Sequence, residues 1–175
     1  MRDIDFIRKV VNELAPNFPL IERRFNVENE RYKKMLARNH DSIGRILKCH
    51  LILENYINRH LEMISPKHNW GKAHLRFAQK MDLLPNEDLK IGWILPGIRE
   101  INRARNRFGH NIEATLCLDD LKECISVLGI ARKNNVYKDA VKVVEDFTTV
   151  ACTWLIVDPE IQKIIEDAFQ LARKR

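Results

Sequence analysis

Apolar residues recur at intervals of three and four along nearly the whole chain, and the alternating apolar–polar runs of half-buried strands are scarce. This spacing gathers the apolar side chains on one face of successive helices, so the chain is expected to be all-α, an antiparallel helix bundle with accessory helices at both ends. Its 175 residues are enough for one domain with a hydrophobic core. Ile4, Ile7, Val10, Val11 and Leu14 form one face of a first helix that ends before Pro16. Residues 17–25, which include Pro19, read as a connector, and a short charged helix follows over about 27–37. Residues 1–40 are therefore an accessory arm, 41–157 the bundle, and 158–175 a C-terminal helix packed on the same domain.

Within the bundle, Asp41 or Ser42 caps a helix to about residue 63, with Ile43, Leu47, Leu51, Ile57 and Leu61 inward and Glu54 on the same stripe. After the Ser65-Pro66 break a helix spans about 72–81, and Pro85 or Asn86 starts another short one. Pro96-Gly97 marks a kink or restart. From there Ile98, Ile101, Ala104, Arg105 and Phe108 share a face up to Gly109, which reads as a left-handed helix end. Asp119 or Asp120 caps a helix to about 131, residues 133–135 turn, and a long helix over about 137–156 turns Val143, Val144, Phe147 and Trp154 inward.

A formal charge of +6 favours anionic partners such as nucleic acid. Cys49, Cys117, Cys124 and Cys152 are scattered, without the spacing of a zinc site or redox motif, so neither a metal nor a cofactor is expected. No apolar run approaches the roughly 18 residues of a bilayer span, and the first residues carry acids rather than a long apolar core. No membrane association and a cytoplasmic location are the expectation.

The chemistry concentrates at Arg105-Asn106 and His110. Arginine offers a permanently charged fork of donors for phosphate oxygens, and histidine exchanges protons near neutrality. Arg105 and Glu54 each interrupt an apolar stripe with opposite charge, so Glu54 is expected to lie near Arg105 or another arginine of this cluster, the plainer meaning being a structural ion pair. Spacing alone is weak support, because Arg45 and His50 repeat it within an ordinary helix. Arg103 and Arg107 are expected to face outward, either as RNA-backbone contacts or as solvated charges. Trp70, Trp93 and Trp154 suit core packing better than base stacking, and His40, His60, His68 and His74 suit the surface or helix caps.

These residues resemble the HEPN superfamily of helical-bundle proteins, which carry an arginine, usually a polar residue after it, and a histidine four to six residues on. Arg105, Asn106 and His110 match that motif, and the helix around His50–Ile57 looks like the first core helix of the same bundle; the mannitol operon repressor family is distantly similar. The resemblance covers roughly residues 41–155. It implies a metal-independent endoribonuclease whose site is composed across a homodimer, with RNA as substrate and a setting in defence, stress response or a toxin paired with an antitoxin or other regulatory protein. His110 would be general acid or base, Arg105 would stabilise the phosphorane, Asn106 would orient the histidine or bind phosphate, and Glu54 would fix Arg105. Arg103, Arg107 and Asn111 would contact RNA. The alternative is a non-catalytic member that binds nucleotide, nucleic acid or protein as a regulatory module; a DNA-binding regulator fits less well, since no helix-turn-helix with a basic recognition helix is evident.

Overall fold

The computed structural model describes the chain except residues 1–3, 37–39, 69, 71–72, 86–90, 112, 133–135, 159, 162, 165–166 and 168–175, and the side chains of Asp5, Met35, Leu36 and His40. Every regular element among the described residues is helical. The chain divides into two units, residues 1–40 and 41–175.

In the first unit, α1 (Ile4–Leu14) passes through a 3₁₀ turn (Ala15–Asn17) into α2 (Phe18–Leu36). Residues 17–25 are thus not a connector, and α2 begins well before residue 27. The prolines permit this because Pro16 is the second residue of the 3₁₀ turn and Pro19 lies in the first turn of α2, positions where a backbone N–H has little helical bonding to lose. The backbone stays right-handed helical on both sides, with Leu14 at φ −81°, ψ −12° and Phe18 at φ −52°, ψ −43°. α1 and α2 pack on the turn between them and do not fold back on each other as a hairpin.

The second unit is a helical bundle of α3 (His40–Ile64), α4 (Phe77–Asp82), α5 (Leu95–His110), α6 (Lys122–Ala131) and α7 (Ala140–Leu155), with a 3₁₀ turn (Leu118–Leu121) leading into α6. α5, α6 and α7 pack on one another. α3 contributes Ile46, Leu53, Ile57 and Leu61 to their core. Leu47 and Leu51, expected inward, are exposed. Residues 46–53 are apolar nearly all round the helix and offer two stripes. The buried one also carries His50 and His60, whose rings find acceptors in Asn102 and in the backbone of Leu155. Burial of a polar ring is tolerated when it is hydrogen-bonded.

Residues 73–76 precede α4 rather than belonging to it; Gln79 Oε1 accepts the Arg76 N–H at 2.8 Å and so fixes the start at Phe77. The expected short helix from residue 85 or 86 and the turn at 133–135 fall largely outside the described residues. Pro96 sits in the first turn of α5. Gly97 follows because α5 crosses α7 so closely there that a Cβ would overlap the Phe147 ring. Asp139 caps α7, its Oδ1 accepting the Val141 N–H at 2.9 Å. Trp93 and Trp154 meet edge to face with centroids 5.0 Å apart and pack against the core, as does Trp70. Beyond α7, Glu160, Ile161, Lys163, Ile164 and Asp167 are helical, and the rest of the expected last helix lies outside the described residues. No described helix is long and apolar enough to cross a membrane.

Candidate functional site at the end of α5

α5 buries Ile98, Ile101 and Ala104, and its last two turns emerge from the core. Arg105 is exposed rather than turned into the bundle, since it follows the buried Ala104 by one residue and is rotated by about 100° from it. Its Nη1 donates to Asn106 Oδ1 at 3.1 Å. The same nitrogen lies 3.9 Å from where a Cβ of Gly109 would stand, so the guanidinium reaches along the helix toward His110. Gly109 does not end the helix: no described glycine has a positive φ, and α5 continues to His110. The helix stops at Asn111, which is extended (φ −138°, ψ 106°) and still donates its N–H to Arg107 O at 2.9 Å. His110 is exposed, and no hydrogen bond to its ring is found among the described residues.

The neighbouring arginines are engaged. Arg107 forms a bidentate pair with Asp120, Nη1–Oδ2 2.9 Å and Nη2–Oδ1 2.8 Å. That guanidinium, with the Cys117 N–H behind it, holds the Asp120 carboxyl well below the ordinary carboxylate range. Arg103 is exposed and stands 3.8 Å from Glu100 Oε1. Asn111 Oδ1 accepts the Glu113 N–H at 2.8 Å, an Asx turn that leads the chain away from the helix. Among the described residues no carboxylate pairs with Arg105.

Glu54 does not pair with Arg105. Its Oε1 accepts from Lys80 Nζ at 2.7 Å, tying α3 to α4. His50 comes between the expected partners. It is buried, its Nε2 is 3.2 Å from Asn102 Oδ1 on α5, and its ring lies on Phe77 with centroids 4.3 Å apart. Burial lowers the His50 pKa; the Asn102 bond and the Glu54 charge oppose that shift, and the Arg105 charge adds to it. Asn102 Oδ1 is an acceptor, so Nε2 carries the proton. His50 therefore joins α3 to α5 one turn before Arg105, a positioning role that reading Arg45 to His50 as an ordinary helix does not show. Its separation of four residues from Glu54 on one helix was the available signal. Arg45 itself pairs with Glu145, both bonds 2.8 Å.

Two other buried polar groups escaped the periodicity. Glu100 accepts the N–H groups of Glu123 (3.2 Å) and Cys124 (3.0 Å), capping the start of α6 from a neighbouring helix. His60, far from lying at the surface, is buried with Nδ1 2.6 Å from Leu155 O, where it satisfies a carbonyl in the last turn of α7. Comparisons with protein-family models, curated proteins and solved structures find no match to this chain. The chemistry must be read from the side chains themselves, and the end of α5 presents an arginine with donors to spare beside a histidine open to solvent.

Proposed function

We propose that the chain is a metal-independent endoribonuclease of the HEPN type, with Arg105, Asn106 and His110 as its catalytic residues. The observation that carries this reading is the pairing state of the arginines. Arg103 and Arg107 face carboxylates, whereas among the described residues Arg105 bonds to Asn106 and to no carboxylate, which leaves donors for an anionic oxygen. Cleavage by the RNA's own 2′-hydroxyl needs a base to take its proton, an acid to protonate the departing 5′-oxygen, and positive charge for the crowded phosphate. Arg105 supplies the charge. Each chain supplies one motif histidine, so base and acid come from the His110 residues of two chains related by a twofold axis. Asn106 steadies the guanidinium rather than the imidazole, Glu54 supports the site only through the α3–α4 packing, and RNA reaches Arg103 and Asn111 more readily than the clamped Arg107. A toxin or defence role, with an inhibitory protein partner, follows from the same resemblance.

Incubation of a labelled mixed-sequence RNA with excess chelator tests the reading. Cutting that leaves 2′,3′-cyclic phosphate ends and drops at least ~100-fold in Arg105→Ala and His110→Ala is expected. Intact RNA across salt and sequence would instead favour a regulatory module that binds a nucleotide phosphate. The clamping of Arg107 by Asp120 favours that second reading, because it leaves a small anion site rather than a long basic track.

A further inference from the structure

The arm carries a pattern that the bundle does not use. Positions 4, 7, 11, 14, 18, 21, 25, 28 and 32 alternate in steps of three and four without interruption, and every one is apolar except Glu28. This is the a/d seam of a coiled coil over four heptads. Pro16, Pro19 and the charged Lys9, Arg23 and Glu30 all fall outside it. In a straight α-helix such a seam drifts by about 20° per heptad. The 3₁₀ turn, at about three residues per turn instead of 3.6, advances the chain by roughly 60° over its three residues and cancels most of that drift. The break between α1 and α2 thus keeps the seam on one side of the arm.

That seam is uncovered. Apart from the half-buried Ile21, its apolar residues are between 41% and 70% exposed. Isolated helices draw little stability from propensity and need an apolar face packed on something. From typical side-chain areas the exposed seam residues offer on the order of 700 Å² of surface, close to the roughly 800 Å² per partner of a stable protein interface.

We infer that the arm is a dimerisation element, and that it pairs antiparallel with the arm of a second copy of this chain. The order of side-chain sizes decides the partner and the direction. The first half of the seam holds the small Ile7 and Val11 and the second half the large Phe25 and Tyr32. A parallel pair would set Phe25 on Phe25 and Tyr32 on Tyr32, with Glu28 facing its own copy between them. The antiparallel pair sets Ile7 against Tyr32, Leu14 against Phe25 and Phe18 against Ile21, and it separates the two Glu28 carboxylates, each facing Val11. Large against small is how facing layers fill at native density. The inference stands apart from the nuclease reading, and its readouts are mass and cross-linking rather than cleavage.

Sedimentation equilibrium of the full chain is the first test. The wild type should have the mass of two chains, and Leu14→Asp/Phe25→Asp should have the mass of one, with the near-UV circular dichroism of the Trp93–Trp154 pair unchanged to show that the bundle is folded. For direction, Leu14→Cys and Phe25→Cys are made separately in a Cys117→Ser background and oxidised. Cross-linking when the two are mixed, and none with either alone, is the antiparallel result. A one-chain mass for the wild type overturns the inference, as does a two-chain mass that survives the aspartates. Self-linking of Leu14→Cys alone overturns the direction, and a monomer that the arm carries onto anionic phospholipid vesicles assigns the face to a membrane surface instead.

Discussion

The two halves of α5 are built to different ends. From Leu95 to Ala104 the helix is anchored: Gly97 admits the Phe147 ring, Ile98 and Ile101 are fully buried, and Glu100 caps α6. From Arg105 to His110 only Phe108 retains a hold on the core, and the polar side chains face solvent. The same rigid rod thus begins as scaffold and ends as a presenting surface. A side chain on a packed helix is aimed more tightly than one on a loop, so the first half fixes where the second half's charges stand. Substitutions in the two halves should separate cleanly into those that unfold and those that disarm.

The sharpest way to break this division is Gly97→Leu. Its side chain has no space beside Phe147, and a loss of about 3 kcal/mol or more, or no folded protein at all, is expected from urea melts. Next is Glu100→Ala, which takes their side-chain acceptor from the N–H groups of Glu123 and the buried Cys124; about 2 kcal/mol should be lost, and Glu100→Gln, which keeps one acceptor oxygen, should restore part of it. Glu54→Ala strands the half-buried Lys80 ammonium and should cost about 1–2 kcal/mol, whereas His110→Ala should stay within ~0.5 kcal/mol of wild type. Coincident unfolding midpoints for those last two would show that the Glu54–Lys80 pair between α3 and α4 carries no more of the stability than His110 does.

The smallest effect concerns His50. Burial depresses its folded pKa below the ordinary value of 6.5, so the unfolded chain binds the proton more tightly. Its contribution is complete above that value and is lost as pH falls below it. Between pH 7.5 and 5.5 the wild type should lose stability faster than His50→Gln; parallel slopes would show that the ring does not titrate with unfolding.

Helix ends marked by a proline are legible in the sequence, Pro16 after α1 and Pro96 at the start of α5, whereas the start of α7 is not: apolar spacing places it near residue 137, and the Asp139 cap sets it at Ala140. The failures have physical causes. Prolines signal a break, yet Pro19 occupies a first-turn position of α2 where it costs nothing, so the sequence places the start of α2 too late. The inward stripe of α3 is ambiguous in the sequence because Ile46, Leu47, Leu51, Ile52 and Leu53 surround the helix, and only packing against the rest of the bundle chooses among them. Gly109 looked like a helix end because nothing in one dimension reveals that Arg105 lies along it. At the candidate site the motif points to the end of α5, but ion-pair partners are a property of three dimensions: Lys80 rather than Arg105 meets Glu54, and Asp120 takes Arg107.

The cysteines offer one more consequence, and it is a practical one. Cys49, Cys124 and Cys152 are buried, and burial pushes the Cys152 thiol up to about 12 and raises the other two as well. Cys117 alone is exposed, and its Sγ sits 3.2 Å from the Asp120 carboxylate that grips Arg107. A maleimide fluorophore should therefore attach at a single place in the native protein, at the edge of the surface that α5 presents. The molecule carries its own attachment point for a reporter of whatever docks there, with no cysteine to engineer.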